Sequence, residues 1–176
     1  MIKTRFFFFV ILTMGVIQIN AISVENDWVI QTENTMNDLT KKIKESMDNS
    51  NTEFIESAKK KLSTYYEQFK SGLTEFTDKI EKKASSSDAV KEAVKQWRSG
   101  FESYNRAPPT KLTIEKISDK YINVARYIKE KSSDLSKNAQ GNAEIDEEIK
   151  MFTQKQLNDL IENLKSVESQ ISTKHA

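Results

Sequence analysis

Apolar residues recur at intervals of three and four along most of the chain, and polar or charged residues fill the positions between them. This spacing gathers the apolar side chains on one face of an α-helix and is typical of amphipathic helices. Five segments carry the pattern, and breaks in it predict where each helix ends. The predicted helices cover approximately residues 24–47, 50–83, 88–104, 110 or 113 to 135, and 143–171.

The apolar stripe of each segment is both the predicted interior of the protein and its candidate binding surface. A helix that is apolar on one side only can bury that side against other helices or against lipid. The residues predicted to bind lipid through these stripes are Trp28, Leu39, Ile43, Leu62, Phe69, Phe76, Val94, Trp97, Phe101, Tyr121, Ile128, Phe152, Leu160 and Leu164.

Three positions interrupt the stripes, namely Thr32, Gly72 and Gln156. A glycine inside a helix costs about 1 kcal/mol relative to alanine, yet the stripe continues on both sides of Gly72, so we expect one continuous second helix. Such interruptions reduce the packing energy of a core. They favour a bundle that opens, although an ordinary, weakly constrained core would show the same pattern.

Capping residues mark several helix ends. Ser50 and Glu53 have the spacing of a capping box, which predicts the start of the second helix at Ser50. The Pro108–Pro109 pair stops the third helix, because the residue before a proline is pushed out of the α conformation. Gly141 suits the left-handed conformation that follows many helices.

Composition favours an all-α fold. The chain has only four glycines and two prolines, which leaves little material for strands joined by tight turns. Connections of about two to six residues force consecutive helices to run antiparallel. Helices of about 25 residues are roughly 37 Å long. The sequence therefore predicts an elongated up-and-down bundle of about five amphipathic helices.

Residues 1–21 have the organisation of a cleaved signal peptide. Lys3 and Arg5 precede an apolar core between Phe6 and Ile17, and Ala21 offers a small residue for cleavage. This core is shorter than the about 20 apolar residues that a transmembrane helix needs, although an uncleaved anchor is the alternative. We predict a secreted, extracellular protein in which residues 22–176 form a single domain, without a stable transmembrane segment after cleavage.

Charge and residue types argue against catalysis and against nucleic acid as a partner. The 27 basic and 26 acidic residues nearly balance, so no field attracts nucleic acid. The one histidine is the penultimate residue, His175, and there is no cysteine, so we expect no enzyme, no metal site and no cofactor. The acidic run between Glu144 and Glu148 is read as a solvated cluster that suits a helix N-terminus.

With this architecture in view, the chain resembles the apolipophorin-III family of insect exchangeable apolipoproteins. The resemblance covers residues 22–176 and rests on the leader, the missing cysteine and five amphipathic helices. It implies reversible opening of the bundle onto lipid or lipoprotein surfaces. It also implies hinges at the loops, which are residues 49–51, 85–87, 107–110 and 140–142.

Two functional hypotheses follow from the sequence. In the favoured one, the secreted bundle binds lipid by exposing its stripes. In the alternative, it is a salivary, venom or host-directed interaction factor whose core stays closed while an outer face contacts a protein partner, with a coiled-coil-like homo-oligomer as a variant. A carrier of small ligands would additionally need a cavity between helices.

Overall fold

The protein is helical throughout the part of the chain that the computed structural model describes, which comprises residues 30–46, 51–84, 87–105, 113–139 and 141–172. These residues form five helices and no strand, which confirms the all-α prediction. The helices are α1 (residues 30–46), α2 (Thr52–Lys83), α3 (Asp88–Asn105), α4 (Ile114–Asn138) and α5 (Ala143–Ser172). The predicted signal peptide and Trp28 lie outside the described residues.

The chain divides into two units, residues 1–35 and residues 36–176. In the first unit, residues 30–35 begin α1, and the Thr35 hydroxyl donates a hydrogen bond of 2.9 Å to the carbonyl of Gln31. In the second unit, residues 36–46 of α1 and the helices α2 to α5 supply the core. The apolar residues that α1 contributes to this core are Met36, Leu39 and Ile43.

Polar side chains begin the helices much as the sequence indicates, with one correction. The cap of α2 is Asn51, whose side chain accepts a hydrogen bond of 3.0 Å from the amide of Phe54, so the predicted start at Ser50 is wrong by one residue. Serine and asparagine are comparably good caps, and the pattern alone could not choose between adjacent ones. Thr113 caps α4, the second of the two predicted starts. Gly141 adopts the expected left-handed conformation, with φ of 87°.

Neighbouring helices run antiparallel, as the short connections predicted. Lys79, in the C-terminal part of α2, pairs with Glu148 near the start of α5, whereas Lys61, earlier in α2, pairs with Ser166 late in α5. Between α3 and α2, Trp97 lies beside Phe76 and Phe101 lies beside Phe69. These pairs fix the register that brings the apolar stripes together.

The second helix is continuous through Gly72, which confirms the prediction of a single helix. Its 32 residues extend over about 48 Å. A side chain at position 72 would meet α5, because a Cβ placed there would lie 3.3 Å from the Gln156 amide nitrogen and 3.8 Å from a ring carbon of Phe152. Glycine therefore lets α2 and α5 approach closely at this level.

Candidate functional site

Thirteen of the fourteen residues predicted to bind lipid lie among the described residues, and all thirteen are buried. The most exposed of them, Phe152, shows 9% of its surface. The others are Leu39, Ile43, Leu62, Phe69, Phe76, Val94, Trp97, Phe101, Tyr121, Ile128, Leu160 and Leu164. The stripes thus face one another in the closed bundle, and little of their apolar surface meets solvent.

Aromatic rings from three helices form the centre of this core. Phe76 of α2 and Phe152 of α5 stack almost in parallel, with ring centroids 4.1 Å apart and planes inclined by 8°. The indole of Trp97 from α3 meets both rings edge-on, at 5.6 Å and 5.7 Å. Phe69 and Phe101 pack together further along, at 4.7 Å. Aromatic pairs contribute about 0.5–1.5 kcal/mol each beyond burial, so this cluster stabilises the packing of α2, α3 and α5 against one another.

Two tyrosine hydroxyls cross between helices inside the core. Tyr65 of α2 donates to the backbone carbonyl of Gln156 in α5, at 3.1 Å. Tyr121 of α4 donates to the side-chain oxygen of Asn163 in α5, at 2.5 Å, and the Asn163 amide donates to the Lys61 carbonyl of α2, at 3.1 Å. Asn163 therefore joins three helices.

Burial raises the pKa of both hydroxyls. Desolvation raises the pKa of Tyr65 well above its ordinary value, and the nearby charge of Asp159 adds to the effect. Desolvation likewise raises the pKa of Tyr121. A neutral phenol can donate a hydrogen bond, and both hydroxyls donate to oxygens of α5 in the closed bundle.

An ion-pair cluster joins the C-terminal end of α2 to the start of α5. Glu148 pairs with Lys79 at 2.6 Å and with Lys83 at 3.2 Å, and Lys83 also contacts Glu144. Hydrogen bonds from Lys79 and then Lys83 hold the pKa of Glu148 below its ordinary value, although desolvation opposes this shift. The hydrogen bond to Glu144 raises the pKa of Lys83. The Glu148 side chain is only 14% exposed, so the prediction of a freely solvated acidic cluster is wrong at this position.

Two buried polar groups lack a partner within the described part of the chain. The indole nitrogen of Trp97 and the hydroxyl of Ser118 are fully buried and form no hydrogen bond with any described residue. An unsatisfied buried group of this kind costs about 1–3 kcal/mol. Both groups therefore lower the stability of the closed bundle.

An open groove of about 780 Å³ runs between α2 and α5. We call it the α2–α5 groove, and its inner surface is formed by Tyr65, Gly72, Phe76, Met151, Phe152 and Gln156. Met151 is 48% exposed. The sequence marked Gly72 and Gln156 as separate interruptions of two stripes, and the structure brings them together at this groove.

Asn163 and Tyr127 also form contacts between helices, and the pattern of the sequence does not predict either contact. The Tyr127 hydroxyl of α4 donates to the Trp97 carbonyl of α3 at 2.9 Å, and it lies 2.8 Å from the place of a Cβ at Gly100. Nothing in the sequence indicates that Gly100 of α3 and Tyr127 of α4 lie close together. Only the register between the helices could have revealed these contacts.

Other kinds of site find no support in the described residues. No three histidine, cysteine, aspartate or glutamate side chains there are grouped as a metal ion would require. None of the described helices combines the length and the apolar character needed to cross a membrane. Comparison with known protein families, with characterised proteins and with solved structures finds no match to this chain.

Proposed function

We propose that the protein binds lipid surfaces by separating its helices and turning their apolar stripes towards the acyl chains. The observation that carries the proposal is the burial of all thirteen described stripe residues in contact with other helices. Because each helix has one apolar face and that face is enclosed, the protein can offer it to lipid only by opening. Opening replaces one apolar environment by another, so most of the hydrophobic free energy is retained.

Some polar groups of the core oppose opening and others favour it. Separation of the helices costs the hydrogen bonds of Tyr65, Tyr121 and Asn163, each contributing about 1 kcal/mol. It also releases the unpartnered groups of Trp97 and Ser118. At a lipid–water boundary an indole N–H finds water or headgroup oxygens, which is why tryptophan is common there. Part of the cost of opening is therefore recovered.

The closed surface is a weaker candidate for binding a protein partner. Among the described residues, the large apolar side chains that are exposed are Ile30 and Met151. Stable protein interfaces are usually centred on buried aromatic or arginine side chains surrounded by a polar rim. We therefore favour lipid over a protein partner. The proposal also includes secretion directed by the signal peptide and reversible opening of the kind implied by the resemblance to the apolipophorin-III family.

Trp97 provides the decisive experiment because it is completely buried in the closed bundle. Replacing Trp28 by phenylalanine leaves Trp97 as the one tryptophan. The variant is mixed with phosphatidylcholine vesicles whose acyl chains carry bromine, a contact quencher of indole fluorescence, and with unbrominated vesicles as the control. Opening should bring Trp97 against the acyl chains, so brominated vesicles should quench its emission strongly.

Emission wavelength is a poorer measure, since an indole that is already buried in an apolar core has little further blue shift to undergo. If the protein sediments with vesicles while Trp97 stays unquenched, the closed bundle attaches by its outer surface and opening is refuted. If it does not sediment with neutral or anionic vesicles, lipid binding is refuted. A protein partner would then be sought with the closed protein.

A further inference from the structure

Gln156 of α5 is an almost fully enclosed residue that carries a side-chain amide. It is 4% exposed, and its amide has no partner among the described residues. The backbone carbonyl of Gln156 accepts a hydrogen bond from the Tyr65 hydroxyl. The side chain lines the α2–α5 groove. An amide in such a place is able to bind a polar atom that enters the groove.

Apolar side chains lie in the groove beside this amide. Gly72 of α2 has no side chain, and a Cβ placed there would lie 3.3 Å from the amide nitrogen of Gln156. Phe76, Phe152 and the half-exposed Met151 lie further along the same groove. A volume of about 780 Å³ falls within the range of small-molecule sites, roughly 300–1,000 Å³. Apolar walls with a few polar groups among them are the usual arrangement for such sites.

The charges at the rim select against an anion. Four carboxylates and two ammonium groups line the groove, namely those of Glu75, Glu148, Asp159 and Glu162, and of Lys79 and Lys155. Both lysines are already paired, Lys79 with Glu148 and Lys155 with Asp159, each at 2.6 Å. A negatively charged ligand would therefore meet an excess of negative charge.

We propose that the α2–α5 groove of the closed bundle binds a small, neutral, largely apolar molecule whose carbonyl or hydroxyl oxygen forms a hydrogen bond with the side chain of Gln156. The apolar part of the ligand lies against Phe76, Phe152 and Met151. This site does not depend on opening of the bundle. It exists only while α2 and α5 are together, so its occupation opposes opening.

The test uses two compounds of nearly equal shape, butyrophenone and butylbenzene, of which only the first carries a carbonyl. Binding to the full chain is followed by NMR of methionine methyl groups labelled with carbon-13. The signal of Met151 is assigned by its loss in the Met151→Leu variant. Butyrophenone should shift this signal and bind about tenfold more tightly than butylbenzene, the factor expected for one added hydrogen bond. The anion 4-phenylbutyrate should bind more weakly than butyrophenone.

Two variants examine the two halves of the site. In Gln156→Leu the preference for the ketone should disappear, since the apolar walls remain and the amide is gone. In Gly72→Ala the added methyl group narrows the groove beside Gln156, so both compounds should bind severalfold more weakly. Gln96→Leu is the matched control, because Gln96 is an exposed glutamine on α3 that does not line the groove. Circular dichroism establishes that each variant is folded.

The absence of any Met151 shift with butyrophenone would overturn the proposal. So would equal affinity for the two neutral compounds, or a ketone preference that persists in Gln156→Leu. These results are independent of vesicle binding, because the site belongs to the closed bundle. Quenching of Trp97 by brominated lipid can succeed while this test fails, and the reverse is equally possible.

Discussion

Replacing Asn163 by alanine should both destabilise the closed bundle and speed its binding to lipid. Asn163 of α5 accepts from the Tyr121 hydroxyl at 2.5 Å and donates to the Lys61 carbonyl at 3.1 Å. It therefore connects α5 to both α4 and α2. Its loss removes two contacts between helices and leaves the apolar stripes unchanged, so stability and lipid affinity can be separated.

The expected loss of stability follows from the two contacts and from what remains. Two hydrogen bonds contribute about 1 kcal/mol each, and the Tyr121 hydroxyl, in a fully buried residue, is left without an acceptor at an additional cost of about 1 kcal/mol or more. Asn163→Ala should therefore lose about 3 kcal/mol. For a chain of 176 residues this corresponds to a fall in Tm of roughly 10 °C.

A double-mutant cycle with Tyr121→Phe tests the assignment. Tyr121→Phe alone should lose about 1 kcal/mol, because Asn163 is only partly buried and can bind water in place of the phenol. The double variant should lose about 2 kcal/mol, which is less than the sum of the single losses, since no hydroxyl is then left without a partner. Denaturant unfolding followed by circular dichroism measures all four proteins.

Lipid binding is followed by the rate at which phosphatidylcholine vesicles clear. If helix separation limits this rate, Asn163→Ala should clear vesicles faster than the native protein, and the order of rates across the cycle should follow the order of stabilities. A variant that is destabilised as expected but clears vesicles no faster would refute opening as the limiting step. Additive stabilities would refute the proposed contact between Tyr121 and Asn163.

Three further predictions concern other contacts. Because the pKa of Glu148 is lowered in the folded protein, its ion pairs stabilise the fold above the unfolded pKa of the carboxyl and are lost as the pH falls through the lowered value. Tm should therefore fall on acidification below the ordinary glutamate pKa of about 4.3, and it should fall less in Glu148→Gln. Gly100→Ala should give no net stabilisation in the native protein, where the Tyr127 hydroxyl lies 2.8 Å from the new Cβ. In the Tyr127→Phe variant the same substitution should raise the free energy of unfolding by about 1 kcal/mol, measured by thermal unfolding. Equal effects in the two proteins would show that the hydroxyl does not hinder the added methyl group. The hydroxyls of Ser132 and Thr153 lie 2.6 Å apart, so cysteines at both positions should form a disulfide between α4 and α5 in a chain that has no other cysteine. The oxidised form of this variant should bind vesicles more weakly than its reduced form. Equal binding by the two forms would contradict separation of these two helices.

The sequence was sufficient for the helices and for the composition of the core. Intervals of three and four placed Leu62, Phe69 and Phe76 on one face of α2, and the structure buries all three. This succeeds because the period of the α-helix is fixed by backbone geometry and burial of apolar surface dominates folding. The start of α2 was displaced by one residue because Ser50 and Asn51 are adjacent and both can cap a helix.

Contacts between helices were beyond the sequence because they depend on register. Gly72 and Gln156 were each recognised as polar interruptions, but their meeting requires α2 and α5 to slide to one particular alignment. Even less in the sequence indicated a contact at Asn163, since an asparagine beside an apolar stripe is usually a solvated residue. Side chains that form contacts between helices can be identified only when the alignment of the helices is known. The predicted lipid-binding residues could be identified without it, because they follow from the apolar spacing within each helix.

The two proposed binding modes oppose each other, because the groove requires the closed bundle and lipid binding requires the open one. A ligand in the α2–α5 groove stabilises the closed bundle, and at a concentration 100 times its dissociation constant the stabilisation is about 2.7 kcal/mol. The loss expected for Asn163→Ala is about 3 kcal/mol, so a saturating groove ligand should offset most of it. The groove and the stripes also share residues, because Phe76 and Phe152 belong to both. Opening must therefore dismantle the groove, and a bound molecule would be released as the bundle spreads on a lipid surface.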